Sequence, residues 1–269
     1  MKQSDLKLFK DWFAEYCKSF YSTDKEDQRN VLLKEEHTRR VCENIVLISE
    51  GVRIDRNASL LAEAIALFHD IGRFRQYRDY RTFRDSLSVN HGLLGAEILR
   101  EEKLLDGLPR DEHDLILKAV SYHNTFLLPR IDDERTVYFL KLIRDADKLD
   151  IWRVFLEYYD SPEEERASAV DLGLPDIPEY SENILSLVLK KRIPSLSTLN
   201  TLNDFKLMQL SWIYDLNFVP SFRLVKERGY IPGLVKTMPK TAEITRVSLF
   251  LEEYTLQRIE AGTQPDSSP

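Results

Sequence analysis

Apolar residues recur every three or four positions along most of the chain, a spacing that places them on one face of an α-helix. The first such stripe runs through Leu6, Phe9, Phe13 and Phe20. Only 9 of the 269 residues are glycine, few for the many tight turns of a β-sandwich or a β-barrel. Residues 136–159 are apolar on nearly every side, which indicates a central helix. The sequence therefore predicts an all-α fold.

The net charge limits the partners that the protein is expected to bind, and the cysteines indicate the cellular compartment. Lys and Arg number 38 and Asp and Glu 45, so the formal net charge is −7. Because domains that bind long nucleic acid normally carry an excess of positive charge, we expect no such partner. No apolar run reaches the roughly 18 residues of a membrane span, so we expect no membrane association. Cys17 and Cys42 fit neither a zinc finger nor a disulfide framework, which favours a cytoplasmic protein.

Changes in residue spacing predict four segments. Residues 1–30 contain an N-terminal helix that packs on the core, and residues 31–160 carry the candidate functional residues. Helical spacing resumes in residues 161–261, after a looser stretch with proline and glycine. Residues 262–269 are small and polar, and we expect them to fray. The aromatic residues of the third segment either cover the core or form a homodimer face, and the sequence leaves both open.

Histidines on apolar stripes are the main functional signal. Four of the five histidines lie on or at the end of such stripes: His37, His69, His91 and His123. Burial favours the neutral imidazole, which is the form that binds metal ions. One buried histidine is usually a hydrogen-bonded core residue, but four of five, one followed directly by Asp70, are better explained as metal ligands. His113 lies in a charged helical turn and is interpreted as solvated.

The predicted central helix offers a further anionic ligand. It contains Asp145 and Asp147, which fall on different faces, both of them apolar. Periodicity does not choose between the two, and surface salt bridges with Arg144 and Lys148 would account for either.

Taken in order, these residues resemble the metal-binding pattern of the HD-domain superfamily. The resemblance covers residues 31–155 and is carried by four stretches: His37-Thr38-Arg39-Arg40-Val41, His69-Asp70-Ile71-Gly72-Arg73, Asn90-His91-Gly92 and Ala146-Asp147-Lys148-Leu149. It implies an HD-domain helical bundle with additional C-terminal helices, and an HD catalytic domain in residues 31–160. The motif also favours Asp147 over Asp145.

The resemblance implies a binuclear metal centre. The ligands of the first ion would be His37, His69, Asp70 and Asp147. His91 and His123 would complete the second site, with Asp70 bridging the two ions. A mixed nitrogen and oxygen ligand set suits manganese, iron, nickel, cobalt or zinc. The implied activity is that of a metal-dependent phosphohydrolase, which cleaves a small phosphate ester or nucleotide with a metal-bridging hydroxide.

Such a reaction also needs a cation near the phosphoryl group. Arg73, three residues after Asp70, is the first candidate for a catalytic and substrate-binding role. Further arginines alternate with aromatic residues beyond it, and we predict a substrate-gripping lid that contains Arg75, Arg78 and Arg81. The alternative is a structural loop or short helix in which Asp79 and Asp85 neutralise the arginines. Lys148 is an additional substrate-contact candidate.

Two other functions stay open. Some helical proteins with a very similar set of four histidines and two aspartates hold a mixed-valent di-iron centre and are oxygenases that cleave C–C or C–P bonds. The identity of the metal and the consumption of oxygen would separate this function from hydrolysis. A non-catalytic, ligand-binding regulatory module is a third possibility, although none of the six candidate ligands is missing.

Overall fold

The computed structural model describes residues 1–162, 164, 166–170 and 172–262. Every regular element in these ranges is a helix, so the fold is all-α, as the apolar spacing predicts. The tail that we expect to fray lies outside the described residues from position 263 onward.

The described residues divide into two compact units, and the first comprises residues 1–150, 164 and 166–170. Its helices are α1 (Gln3–Lys18), α2 (Lys25–Val52), α3 (Arg56–Phe68), α4 (Gly72–Tyr80), α5 (His91–Glu101), α6 (Arg110–Tyr122) and the beginning of α7 (Glu134–Asp160). The predicted boundary at residue 160 is the end of α7, whereas the units divide at residue 150.

Side-chain caps fix where several of these helices begin. Asp24 accepts hydrogen bonds from the backbone N–H groups of Glu26 and Asp27, both at 2.9 Å, and so fixes the start of α2 at Lys25. Asp55 caps α3 and Asn90 caps α5 in the same way. These caps satisfy backbone donors that the first turn of a helix leaves unpaired.

The first unit has its core between α2, α3, α5 and α6, with α1 packed on α3 and α4 packed on α2 and α5. A buried hydrogen bond of 3.0 Å from Asn44 to the carbonyl of Ala146 ties α2 to α7. Completely buried side chains include those of Ile45, Ile48, Leu61, Ile65, Ile98, Ile116, Val120, Leu142 and Ile143. Apolar burial of this extent is the main stabilising contribution to such a bundle.

Among the described residues, the second unit comprises 151–162 and 172–262. Its remaining helices are α8 (Glu182–Leu189), α9 (Leu202–Ser211), α10 (Val219–Glu227), α11 (Tyr230–Lys236) and α12 (Ala242–Ala261). Trp152 is buried within it, and its indole N–H donates to the carbonyl of Gln209 at 3.0 Å. In the described part of the chain, none of the helices combines the length and apolarity needed to cross a bilayer.

Candidate metal centre

The six predicted metal ligands come together in the first unit, most of them at helix ends. His69 and Asp70 directly follow α3, His91 is the first residue of α5, and His123 directly follows α6. The remaining two lie within longer helices, His37 in α2 and Asp147 in α7. The four histidines are each 3% exposed or less. The hydrophobic stripes therefore carry the histidines into the interior, as their spacing predicts.

Two glycines allow the helix ends to meet. A Cβ atom at Gly72 would lie 2.2 Å from the carbonyl oxygen of His91, so α4 approaches α5 as closely as backbones permit. At Gly92 it would lie 2.9 Å from the carbonyl oxygen of Val120, near the end of α6. Real Cβ atoms do not approach backbone this closely, so only glycine fits at these positions without displacement of the neighbouring helix.

His37 and His69 form what we call the first histidine pair. Their Nε2 atoms are 3.3 Å apart. Oδ1 of Asp147 lies 3.1 Å from Nε2 of His37 and 3.7 Å from Nε2 of His69. The structure thus brings Asp147 to the first histidine pair.

His91 and His123 form the second histidine pair, with Nε2 atoms 3.0 Å apart. Asp70 lies between the two pairs. Its Oδ1 atom is 3.2 Å from Nε2 of His91 and 3.8 Å from Nε2 of His123. Its Oδ2 atom faces the first pair, at 3.5 Å from Nε2 of His37 and 3.8 Å from Nε2 of His69. One carboxylate therefore presents one oxygen to each pair.

The outer nitrogens of the rings determine how the inner ones are presented. Nδ1 of His69 donates to the carbonyl of Ala66 at 2.7 Å, and Nδ1 of His123 donates to the carbonyl of Val120 at 2.8 Å. Because a carbonyl oxygen only accepts, Nδ1 carries the proton in either ring, and the neutral tautomer with this hydrogen bond has its lone pair on Nε2. Nitrogen lone pairs that face one another beside carboxylates are satisfied together by a cation. The residues therefore fit a metal centre.

The other two rings use carboxylates as outer partners. Nδ1 of His37 lies 2.7 Å from Oδ2 of Asp150, which is buried. Nδ1 of His91 lies 2.8 Å from Oδ2 of Asp85, which follows α4 in a short 3₁₀ turn. A carboxylate at this position orients a metal-binding imidazole and makes it a better ligand.

Burial and hydrogen bonding set the protonation of the rings. Burial lowers the pKa of His69 to about 4. Burial and the charge of Lys34 would also lower the pKa of His37. Hydrogen bonds to Asp147 and Asp150 outweigh them and raise this pKa to about 9. Burial also lowers the pKa of His91. In the first pair, therefore, the surroundings stabilise the protonated ring of His37 and the neutral ring of His69.

The two central carboxyl groups stay ionised. Burial would raise the pKa of Asp70, but the positive charges of Lys34 and its other basic neighbours outweigh burial and hold the pKa well below its usual range. The pKa of Asp147 is lowered as well, because the hydrogen bond from His37 and the nearby histidine charges outweigh burial. Ionised carboxylates and imidazole nitrogens are the ligand set of manganese, iron, nickel, cobalt and zinc sites.

Ligand atoms within 4.8 Å of one another form three overlapping groups in the described residues. These groups are His37 with His69 and Asp70, His69 with His123 and Asp147, and Asp70 with His91 and His123. Overlap of this kind is what a centre with shared ligands requires, and it agrees with the clustering that the sequence predicts.

Arg73 lies beside the centre, where the sequence predicts it. Its Nε atom is 3.4 Å from Oδ1 of Asp70 and is buried without a hydrogen-bond partner. Its Nη1 atom donates to Gln76 and Asp85, both at 2.9 Å, and to the carbonyl of Phe83. The guanidinium group is thus anchored at one end, with its Nε edge directed at Asp70.

The structure does not bring the other three arginines to the metal ligands. Residues 72–80 form helix α4, and each of these three guanidinium groups contacts a carboxylate outside the metal ligands. Arg75 contacts Glu101 at 2.6 Å, Arg78 contacts Asp79 at 2.6 Å, and Arg81 contacts Asp27 at the start of α2. Arg78 and Arg81 line a separate hollow of about 150 Å³. At about 3.6 residues per turn, Arg75 lies about 200° and Arg78 about 140° around the axis from Arg73, so neither shares the face of α4 that Arg73 turns to Asp70.

Lys148, the remaining predicted substrate contact, donates from Nζ to the carbonyl of Arg144 in the preceding turn of α7, at 3.3 Å. Arg144 is itself buried and donates to the carbonyls of His123 and Thr125. The guanidinium group of Arg144 thus holds the segment that carries His123. Asp145 is buried, and Asp147 contacts His37.

Sequence reasoning missed the roles of three charged residues at the centre. Lys34 contacts Asp70, Asp150 contacts His37, and Asp85 contacts both Arg73 and His91. Lys34 and Asp150 carried a usable signal, because each lies three residues from a predicted ligand on the same helix and so shares its face. Asp85 carried no such signal, because its place directly after the arginines predicts only a salt bridge with them.

Comparison with known proteins identifies a family for this region. The HD domain family model matches residues 35–152. No curated protein and no solved structure gives a significant match. HD domains are all-α, bind divalent metal ions and belong largely to metal-dependent phosphohydrolases.

Proposed function

We propose that the chain is a metal-dependent phosphohydrolase that acts on a small phosphorylated substrate, because the HD domain family model matches residues 35–152. Asp70 carries the proposal, because one of its oxygens lies 3.2 Å from the second histidine pair and the other 3.5 Å from the first. A carboxylate placed in this way suits a bridging role between two ions.

The proposed ligands of the first ion are His37, His69, Asp70 and Asp147, and those of the second are Asp70, His91 and His123. Divalent ions bound there would supply an activated water molecule and offset the negative charge of a phosphoryl group. Asp150 and Asp85 hold the rings of His37 and His91 in position through their Nδ1 atoms.

Arg73 has the proposed role of orienting the phosphoryl group. Its Nε atom, directed at Asp70 without a hydrogen bond, and its anchored Nη1 atom give a fixed guanidinium group beside Asp70. A fixed guanidinium group offers phosphate oxygens a planar, charged donor and loses little side-chain entropy on binding. Lys148 is retained as a weaker proposed substrate contact on α7.

The acidic net charge of −7 supports a small substrate over a long polyanion. Cys17 and Cys42 are both unpaired and buried, which supports the cytoplasmic location expected from the sequence. The homodimer face expected in the C-terminal segment stays a prediction.

The direct test is phosphate release from a panel of phosphomonoesters, phosphodiesters and nucleotides in the presence of manganese. Wild-type protein should release phosphate from at least one compound, and Asp70→Ala should release none from any. Silence of the wild-type protein across the panel would contradict the proposal. Two bound irons and consumption of oxygen in the same silent protein would indicate the oxygenase, and ligand binding without turnover would indicate a regulatory module.

A further inference from the structure

Lys34 is a charged residue at the centre that no motif assigns. It lies on α2 one turn before His37 and just outside the residues matched by the HD domain family. Its Nζ atom is 2.8 Å from Oδ2 of Asp70, the oxygen that faces the first histidine pair. Neighbouring charges on α2, such as Arg40 and Glu36, pair with one another on the exposed surface. Lys34 instead pairs with a carboxylate that is buried.

Lys34 and Arg73 stand on opposite oxygens of the same carboxylate. Lys34 contacts Oδ2 of Asp70, and the Nε atom of Arg73 lies 3.4 Å from Oδ1. Both cations also lie near the ring of Phe83, with Nζ of Lys34 5.1 Å and Cζ of Arg73 5.9 Å from its centroid. The aromatic ring therefore borders both cations, and its face favours positive charge.

These side chains also lie closer to solvent than the ligand they contact. The side chains of Lys34 and Arg73 are each 15% exposed, and that of Asp70 is 4% exposed. An anion that approaches Asp70 from solvent therefore meets an ammonium group and a guanidinium group before it meets the carboxylate.

A divalent ion bound to Oδ2 of Asp70 would repel an ammonium group that contacts the same oxygen. Lysine has a flexible four-carbon stem and three rotatable donors, so its charge can turn from Asp70 to another acceptor without a change in the backbone. Arg73 lacks this freedom, because Asp85 and Gln76 hold its Nη1 atom.

We infer that Lys34 is a substrate-binding residue that neutralises Asp70 until metal binds and then binds a phosphoryl oxygen on the side of Asp70 opposite Arg73. The ligand class, an anion with a terminal phosphoryl group, rests on the proposed function. The competition between Lys34 and metal rests on the contact with Asp70 alone.

The test compares Lys34→Gln with wild-type protein in two titrations. Manganese alone is first titrated into metal-stripped protein. Inorganic phosphate is then titrated into metal-loaded protein freed of excess ion. Because Lys34→Gln removes a competing positive charge, it should bind manganese more tightly, by roughly three- to tenfold. It should bind phosphate roughly tenfold more weakly, because one charge-assisted hydrogen bond is lost.

Two further variants separate this role from a structural one. Lys34→Arg keeps the charge and should recover most of the phosphate affinity. Lys7→Gln is the matched control, because Lys7 also pairs with an aspartate, Asp11 at 2.5 Å, but on the exposed face of α1. It should change neither titration.

Weaker manganese binding by Lys34→Gln would overturn the inference, because it would mean that the lysine only holds Asp70 in position. Unchanged phosphate binding would overturn it as well. Failure of the wild-type protein to hydrolyse any ester would contradict the proposed function but would leave both titrations of Lys34 valid.

Discussion

The two histidine pairs have the same kinds of hydrogen-bond partner at their Nδ1 atoms but differ in the carboxylates near their Nε2 atoms. In each pair one Nδ1 atom donates to a backbone carbonyl and the other contacts a carboxylate. Asp70 contacts both pairs, but Asp147 lies closer to the first pair, at 3.1 Å from His37 and 3.7 Å from His69, and comes within 4.8 Å of His123 in the second. Since each anionic ligand strengthens the binding of a divalent ion, we expect the first pair to bind metal more tightly.

The outer carboxylates differ as well. The side chain of Asp150, behind His37, is 2% exposed. That of Asp85, behind His91, is 29% exposed, and it also accepts hydrogen bonds from Arg73, Gln76 and Asn124. Asp85 therefore links the second pair to the proposed phosphate-orienting arginine, whereas Asp150 contacts His37 of the first pair. We therefore expect the first pair to bind metal more tightly and the second pair to be coupled to substrate binding through Asp85 and Arg73.

The largest effect is expected from Asp70→Ala, because this change removes an oxygen from both pairs at once. Both ions should be lost, and phosphate release should fall by more than the roughly thousandfold that loss of a single electrostatic donor causes. Metal analysis and phosphate assays on the same preparation would measure this. A variant that kept one full equivalent of metal would show that Asp70 serves only one pair.

Removal of one histidine from each pair in turn tests directly whether the two pairs differ in metal affinity. His91→Ala should leave one manganese ion per chain, since the first pair keeps two histidines and two carboxylates. His37→Ala should lower metal content further, because it weakens the site that retains metal best. Metal analysis after desalting would give the two stoichiometries. Equal losses in the two variants would remove the distinction between the pairs.

Changes to the outer carboxylates should have moderate effects of different kinds. Asp150→Asn and Asp85→Asn should each weaken metal binding by roughly 10- to 100-fold, as loss of such partners does in other metal centres. Only Asp85→Asn should also raise KM for substrate, since it releases Arg73. Steady-state kinetics at saturating metal would separate the two. A raised KM in both variants would contradict the proposed link through Asp85.

Metal binding at the first pair should depend on pH. In metal-stripped protein the pKa of His37 is about 9, so an ion must displace a proton from this ring at any lower pH. The affinity of the first ion should therefore rise by roughly tenfold per pH unit up to about pH 9 and then level off. Calorimetry in buffers of different ionisation enthalpy would count the proton. Binding of the first ion at pH 7 without proton release would contradict this difference between His37 and His69.

The smallest effect is expected on α4 away from both pairs. Arg81→Gln breaks a contact with Asp27 near the surface and should leave kcat/KM within about twofold of wild type. Arg73→Gln, on the same helix, should raise KM strongly. Comparison of the two variants in the phosphate assay would show whether the arginines act together. A large loss in Arg81→Gln would support the lid that the sequence predicts.

The helices and the ligand cluster were predictable because each depends on a repeated pattern. Apolar spacing places His37 on the inner face of α2, and the order of the motifs selects Asp147 where periodicity could not. The course of residues 72–84 was harder to predict. Alternating arginines and aromatic residues are compatible with a lid or with a helix, and tertiary contacts such as that between Arg75 and Glu101 decide for the helix.

Charged residues that support the ligands were less predictable for a physical reason. A lysine or aspartate beside a buried centre has the same local sequence as one on a solvated face, and only its partner across the fold distinguishes the two. Lys34 and its partner Asp70 are 36 positions apart in the sequence, and Asp150 and its partner His37 are 113 positions apart. Spacing along one helix indicates a shared face but not what that face contacts.

If two unequal metal sites share Asp70, they fill in order, and a manganese titration of metal-stripped wild-type protein tests this most directly. We predict two ions per chain bound in two resolved steps, with a proton released in the tighter step at pH 7 and neither step present in Asp70→Ala. Saturation at a single ion, or two steps that persist in Asp70→Ala, would contradict the account.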